Sequence, residues 1–162
     1  MATVFISYIH EELKIAEAVQ RLIQNKLANR DVFMSADQWQ MYAGEDWLQK
    51  ITAALRTARV VVLLLSPQSV LRPWVNFEAG GAWLAGTPVI PVCHAGLRPE
   101  SLPKPYSSLQ ALVVPGDEYY LIHSIAHYLA TLSPPPWWDD DEEMQVFRAA
   151  LSGSSCSDQI SK

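Results

Sequence analysis

Residues 60–83, VVVLLLSPQSVLRPWVNFEAGGAW, decide the fold because they join a buried strand to an apolar helix. The first six, Val60–Leu65, are all apolar and half of them are β-branched, which predicts a strand buried on both faces of a parallel sheet. A Ser-Pro pair ends this strand. Pro73 then suits the first turn of a helix, which we expect over residues 74–84.

Glu78 is the only ionisable residue of this predicted helix, and it follows Trp74 by one turn, so the two side chains share a face. The helix begins after a central strand, where α/β sheets place their ligands. Gly80 and Gly81 each cost the helix about 1 kcal/mol relative to alanine, so we expect something to approach them closely. Glu78 is therefore a candidate functional residue, and the alternative is an ordinary solvated glutamate.

Strands and helices alternate along the rest of the chain. We expect further strands at residues 3–8, 31–34, 88–92 and 109–114, and helices at residues 10–27, 47–58 and 118–132. Residues 35–46 have no clean period and predict a long functional loop. The prolines of the fourth strand indicate a strand start or a sheet edge. The alternation predicts an α/β, flavodoxin-like three-layer fold with a central five-stranded parallel sheet.

Composition narrows the class of protein. The chain has 162 residues and a net charge of -5, so it has no basic footprint for nucleic acid. No apolar run reaches the roughly 18 residues of a membrane span, and we expect a cytoplasmic protein with no membrane partner. The two cysteines and four scattered histidines suggest neither a disulfide framework nor a metal site.

We expect two regions along the chain, a domain over residues 1–133 and a tail over residues 134–162. The tail begins with three prolines and two tryptophans and continues with an acidic run. Met144, Phe147 and Leu151 are spaced to line one face of a short helix, and the Ser-rich end predicts disorder.

Several enzyme signatures are missing from the sequence. No G-x-G-x-x-G follows the first strand, and there is no Walker A sequence or G-x-S-x-G elbow. The third strand is followed by Ser66, where a response-regulator receiver would place an acidic residue. These absences disfavour the dinucleotide-cofactor, P-loop, α/β-hydrolase and phospho-receiver classes.

Three segments, taken in order, resemble the Toll/interleukin receptor (TIR) domain family. The opening VFISY at residues 4–8 resembles its first strand, and residues 35–46 with GEDW at 44–47 are similar to its BB loop and the following helix. The strand VVVLLLSP and the later WVNFE at residues 74–78 resemble its third strand and αC helix. The resemblance covers roughly residues 1–132 and is to the bacterial antiphage-defence NADase type.

This resemblance implies cleavage of NAD at the nicotinamide–ribose bond, giving nicotinamide plus ADP-ribose or a cyclic ADP-ribose isomer as an antiphage signal. Glu78 would be the catalytic glutamate, and the substrate site would include Trp74, Ser7, Tyr8, His10 and Trp39. One carboxylate suffices, because nicotinamide leaves as a neutral group while positive charge builds on the ribose. NAD is then the substrate, and neither a cofactor nor a metal is expected.

The resemblance also implies partners, namely other TIR protomers in a homo-oligomer and an effector that senses the cyclic product. Two other functions stay open. The chain could be a non-enzymatic scaffold acting through TIR–TIR association, in which Trp137 and Trp138 could take part, or a flavodoxin-like small-molecule binder. Animal adaptor TIR domains often lack the glutamate, so the presence of Glu78 favours an enzyme.

Overall fold

The computed structural model describes residues 4–28, 30–37, 47–132 and 142–153. Within these ranges the strands are β1 (Val4–Ile9), β2 (Val32–Asp37), β3 (Val60–Leu65), β4 (Val89–Cys93) and β5 (Leu112–Val113). The α-helices are α1 (Leu13–Lys26), α2 (Trp47–Thr57), α3 (Pro73–Leu84), α4 (Glu118–Tyr128) and α5 (Glu142–Gly153). Short 3-10 turns lie at His10–Glu12, Ser69–Leu71, Pro99–Ser101 and Tyr106–Ser108.

The strands form one parallel sheet in the order β2-β1-β3-β4-β5, which confirms the predicted fold class. The chain leaves β1 to one side, towards β2, and then returns to place β3 on the other side of β1. The carboxyl ends of β1 and β3 therefore flank the topological switch point, where open α/β sheets form their binding crevice.

Two hydrophobic cores cover the two faces of this sheet. The first core lies between the sheet and α1, α4 and α5, and it receives Val4, Ile6 and Tyr8 of β1. The second core lies between the sheet and α2 and α3, and it receives Phe5 and Ile9. Alternate residues of β1 thus point to opposite layers, as the pleat of a strand requires.

The helix expected near the end of the chain is α5, and it packs into the first core. Met144, Phe147 and Leu151 are buried there, and α5 lies against α1. Lys26 of α1 also forms an ion pair with Glu143, with a distance of 3.1 Å from Nζ to Oε2. This helix therefore adds apolar packing to the same layer as α1 and α4.

The second strand is longer than expected, and this difference bears on the site. Residues 31–34 were predicted, whereas β2 is Val32–Asp37 and pairs with β1 from Val4↔Val32 to Ile9↔Asp37. Pairing along the whole of β1 holds the chain extended after residue 34, although its local sequence has no strand period. Ser35 therefore belongs to a strand and not to the expected loop.

The fourth strand is not a sheet edge, because β4 lies between β3 and β5. Pro91 is tolerated there since β5 pairs only with Val92 and Cys93, so the proline lies outside that ladder. The same short pairing explains why β5 has two residues instead of the six expected at 109–114.

The last predicted helix also ends earlier, at Tyr128 instead of residue 132. The N–H of Thr131 donates to the carbonyl of Ala126, and the N–H of Ala130 donates to that of His127. This is a Schellman motif, and Ala130 takes the left-handed conformation with φ of 51°. An alanine gives no sequence signal for such a helix end, whereas glycine would.

None of the helices within the described ranges combines the length and the apolar character that a membrane span needs.

Candidate functional site

The candidate site is built around Glu78, which lies on the buried face of α3. Pro73 occupies the first turn of this helix, and Val75, Ala79 and Ala82 pack towards the sheet with Glu78. The Glu78 side chain has no solvent-exposed surface. The alternative of a solvated helix glutamate is therefore wrong, because α3 covers the sheet with the face that carries this residue.

Two serine hydroxyls donate hydrogen bonds to the Glu78 carboxylate, one to each oxygen. Ser7 Oγ donates to Oε2, and Ser35 Oγ donates to Oε1. Ser7 and Ser35 are directly paired in the register of β1 and β2, and both are fully buried. We call Ser7 and Ser35 the serine pair.

The serine pair explains how a carboxylate is accommodated between a helix and a sheet. A buried charge without hydrogen bonds is strongly destabilising, whereas donors placed on both oxygens offset part of the cost of desolvation. Two neighbouring parallel strands supply these donors at fixed positions. The site is therefore a preorganised carboxylate, the type of group that stabilises a developing positive charge.

Trp74 lies one turn before Glu78 and packs against the second core. Its ring stacks on that of Phe77, with 5.4 Å between the ring centroids. The indole Nε1 is buried and has no hydrogen-bond partner among the described residues. The indole thus serves as a packing group and also has a donor available for another molecule.

The other residues implied by the resemblance lie in different places. Tyr8 belongs to the first core, on the face of the sheet opposite α3. Burial raises the pKa of Tyr8, and the negative charges of Glu17 and Glu78 raise it further. His10 is exposed at the start of the 3-10 turn after β1, and Trp39 lies outside the described residues.

An ion pair crosses the switch point above the site. Arg72 Nη2 lies 2.8 Å from Glu11 Oε1, which joins the loop after β3 to the turn after β1. Gln68 Nε2 donates to the same oxygen at 3.3 Å. Exposed pairs of this kind contribute about 0–1 kcal/mol, so this part of the rim can rearrange at little cost.

A buried acid–base pair, Glu12 and His94, lies at the same end of the sheet. His94 Nε2 is 3.3 Å from Glu12 Oε1, and both side chains are almost fully buried. The two side chains are close but not aligned for a hydrogen bond, since their polar atoms have no hydrogen-bond partner within the described ranges. The sequence offers no signal for this pair, because 82 positions separate residues 12 and 94.

The two glycines of α3 have different surroundings. A Cβ on Gly81 would lie 3.4 Å from Leu55 Cδ1, so helix α2 is what approaches this glycine. A Cβ on Gly80 would meet nothing within 4 Å. The close approach expected from the sequence is therefore found at Gly81 only, and it is a helix–helix contact.

A groove of about 430 Å³ lies away from this site. It is formed by α1 and α5, on the opposite face of the sheet from Glu78, and Val146 and Phe147 line it beside Lys14 and Arg21. The volume of this groove is not evidence for a chemical function, and Glu78 remains the better candidate for the centre of a functional site. Over the part of the chain that the structure describes, no three His, Cys, Asp or Glu residues are grouped to hold a metal ion.

Ser35 is the residue that sequence reasoning missed as part of the site. Its local context resembles a loop, and only the register with Ser7 brings it to Glu78. A signal was available, since a serine directly after the predicted second strand would lie beside one near the end of the first. Reading it required the strand order and the register, which the sequence alone does not provide.

Comparison with known proteins gives consistent findings about the fold. A family model described as TIR domain matches residues 4–120. A metazoan TIR-STING receptor from C. gigas is similar at 19% identity with a TM-score of 0.52, over 82% of this chain and 40% of the receptor. The chain thus corresponds to less than half of that receptor's length. No curated protein matches the sequence.

Two further structures are similar at lower TM-scores. The TIR domains of the activated Roq1 resistosome, which recognizes the pathogen effector XopQ, are 16% identical with a TM-score of 0.48, over 96% of this chain and 84% of that chain. A response regulator receiver protein from Burkholderia phymatum is 18% identical with a TM-score of 0.47, over 82% of this chain and 99% of that one.

Proposed function

The chain belongs to the TIR-domain family, and from that premise we propose that it cleaves NAD at the nicotinamide–ribose bond. The products are nicotinamide and either ADP-ribose or a cyclic ADP-ribose isomer. The observation that carries this proposal is the fully buried Glu78 carboxylate, with the serine pair on its two oxygens, on a helix with no other ionisable residue. A protein that keeps a charge in such surroundings usually has a chemical use for it.

The bond to be broken joins C1′ of the ribose to the ring nitrogen of nicotinamide. The electron pair leaves with nicotinamide, which becomes neutral and needs no proton, while the ribose becomes an oxocarbenium-like cation. Glu78 stabilises this cation, and preorganised charges of this kind are the largest single contribution in many enzymes. Water then attacks C1′ and loses a proton, which gives ADP-ribose, or an atom of the same molecule attacks and gives a cyclic isomer.

Access to Glu78 is part of the proposal. The carboxylate has no exposed surface, so NAD reaches it only in a conformation that differs from the one described. The weak Arg72–Glu11 pair lies where such a rearrangement would begin. We propose that association with other TIR protomers favours the open conformation, so that the active species is an oligomer.

The remaining parts of the proposal follow from the family. Trp74 forms an aromatic wall of the site, and the family likeness assigns substrate contacts to Ser7, Tyr8, His10 and Trp39. Of these, Tyr8 packs on the opposite face of the sheet in the described conformation. The biological role is a bacterial antiphage signal in the cytoplasm, with an effector that senses the cyclic product. NAD is a substrate here, so the reaction uses no separate cofactor.

A scaffold without catalysis is the second candidate, and a specific observation favours it. Leu71, Phe77 and Leu84 are large apolar residues that lie exposed on or just before α3. Contiguous exposed apolar surface marks association sites, and Phe77 and Leu84 lie two turns apart on one face of α3. Such a scaffold would use the TIR fold for homotypic contacts and would leave Glu78 unused.

Incubation of the purified protein with NAD, followed by chromatography of nicotinamide and the ribose products, separates the two candidates. We expect Glu78→Gln to reduce nicotinamide release by about a hundred- to a thousandfold while the protein stays folded, because it removes a preorganised charge. Glu17→Gln, on the exposed surface of α1, is the matched control and should keep its activity. Activity close to wild type in folded Glu78→Gln protein would exclude this role for Glu78.

A further inference from the structure

Both oxygens of the Glu78 carboxylate are occupied by hydrogen bonds from within the sheet. Ser7 donates to one oxygen and Ser35 donates to the other. A serine hydroxyl has a single proton, so each of these serines directs its only donor at Glu78. We propose that Ser7 and Ser35 position Glu78 and keep it ionised, and that they act through this carboxylate without themselves binding the substrate. The proposal rests on the proposed function, since it deepens the role of Glu78.

The sheet fixes the positions of the two serine hydroxyls. Ser7 and Ser35 lie inside β1 and β2, whose parallel pairing extends from Val4↔Val32 to Ile9↔Asp37. The backbone of both serines is therefore held by the sheet, whereas Glu78 comes from a helix on top of it. Two donors from one rigid element fix the orientation of the carboxylate, which is what a group needs to stabilise charge at a defined atom.

The two hydrogen bonds also favour the charged form of the Glu78 carboxylate. An ionised carboxylate accepts hydrogen bonds at both oxygens, whereas a protonated one presents an O–H at one of them. Hydrogen bonds donated to a carboxylate favour its ionised form, and burial opposes that form. The serine pair thus counteracts the burial of Glu78 at the place where a negative charge is required.

The titratable groups around α3 determine whether the ionisation of Glu78 can be followed in a pH profile. The elements packed against α3 include β1, β3, β4, α2 and the turns Ser69–Leu71 and Tyr106–Ser108. Their described titratable residues are Tyr8, Cys93, Lys50, Arg56 and Tyr106. Burial raises the pKa of Tyr8, and it raises the pKa of Cys93 to about 11, while lysine and arginine are basic groups. Glu78 is therefore the one described residue of α3 and these elements whose side chain ordinarily titrates in the acid range, and an acid limb that moves in a serine variant points to it.

The experiment is the pH dependence of NAD cleavage by Ser35→Ala. Loss of one hydrogen bond to the charged form should move the acid limb of kcat/KM to higher pH by about one unit or more. The activity lost below the limb should return at higher pH, with KM little changed. Ser35→Thr, which keeps the hydroxyl, should restore the wild-type profile, and Ser7→Ala should repeat the effect of Ser35→Ala.

Two controls isolate the serine pair from general packing. Ser69→Ala removes another fully buried hydroxyl, whose hydrogen bonds are with Ser66 and the carbonyl of Leu64. It should leave the acid limb in place. Glu12→Gln, which removes another buried carboxyl group at this end of the sheet, should also leave the limb in place.

A second measurement does not depend on catalysis. The carboxyl carbon of Glu78, labelled with carbon-13 and assigned by its loss in Glu78→Gln, can be titrated by NMR in wild type and in Ser35→Ala. We expect its titration midpoint to rise in Ser35→Ala. If the wild type releases no nicotinamide, the proposed function fails, and this titration still tests whether the serine pair controls the ionisation of Glu78.

Three results would overturn the inference. An unchanged Glu78 titration in folded Ser35→Ala protein would show that the hydroxyl does not control ionisation. A uniform loss of activity at all pH values would point to packing. A raised KM with an unchanged kcat and acid limb would mean that Ser35 contacts the substrate.

Discussion

Glu78 is a charged side chain held in a part of the molecule that excludes water. Placing an ion there costs several kcal/mol, and replacing buried ionic groups by apolar residues is often neutral or stabilising. The serine pair reduces this cost but also adds polar groups to the second core. At the scale of single residues, the site therefore departs from the best-packed arrangement, as functional sites commonly do.

Trp74 is the residue best placed to influence the products. Stacking of a nucleobase on an aromatic ring contributes about 1–3 kcal/mol, which is too little to create catalysis but enough to select between two attacking groups. We expect Trp74→Ala to retain part of the nicotinamide release and to form ADP-ribose in place of the cyclic product. Chromatography of the NAD products, beside a thermal melt, provides the measurement.

The contacts of Trp74 with Phe77 and the second core define the competing expectation. If Trp74 only anchors α3, Trp74→Ala should lower the melting temperature and reduce all products equally. Trp74→Phe is the control, because it keeps an aromatic ring while removing the indole N–H. An unchanged ratio of cyclic to linear product in well-folded Trp74→Ala would remove Trp74 from the mechanism.

At the scale of elements, α3 combines an apolar sequence with two adjacent glycines. The structure explains the glycine at position 81, since Leu55 of α2 lies against Gly81. Gly80 has no such contact within the described ranges, because a Cβ there would meet no atom within 4 Å. The helix therefore accepts a cost at Gly80 that packing between described residues does not explain.

We expect Gly80→Ala to raise the free energy of unfolding by about 0.5–1 kcal/mol, because alanine is the better helix former and the site has room for it. Thermal or urea unfolding provides the measurement, with a shift in Tm of a few degrees. Gly81→Ala is the matched control and should gain less, since its new methyl group contacts Leu55. A lower Tm in Gly80→Ala would show that something needs the space beside this glycine.

At the scale of the whole molecule, the buried position of Glu78 links activity to association. The described conformation gives the carboxylate no exposed surface, so a binding event must favour an open form. Mass action then makes the active fraction depend on protein concentration. The dependence of activity on protein concentration distinguishes an enzyme that must assemble from one that is active as a monomer.

We expect the specific activity of nicotinamide release to rise with protein concentration, or on addition of a crowding agent. The measurement is a dilution series with light scattering on the same samples, and Glu78→Gln at each concentration provides the background. Constant specific activity over the whole series, with a monomer throughout, would reject the dependence on assembly.

Much of the architecture was predictable because local signals and packing agree. The strand Val60–Leu65 has the predicted bounds and is fully buried. Six consecutive apolar residues, half of them β-branched, favour a strand that is buried on both faces of the sheet. The predicted bounds were wrong for the strands whose length is determined by pairing with a neighbouring strand. β2 extends through Ser35 because β1 continues beside it, and β5 is short because it pairs only with Val92 and Cys93.

The sequence by itself determined the alternation of strands and helices, the apolar helix α3 and the position of Glu78 on it, because periodicity and composition act over a few neighbouring residues. Only the tertiary structure decided that Glu78 is buried and that Ser35 reaches it. Residues 35 and 78 are 43 positions apart, and their hydrogen bond exists because β2 pairs with β1 in one register while α3 packs over β1. Tyr8 was placed on the opposite face for the same reason, since one residue along a strand reverses the side chain.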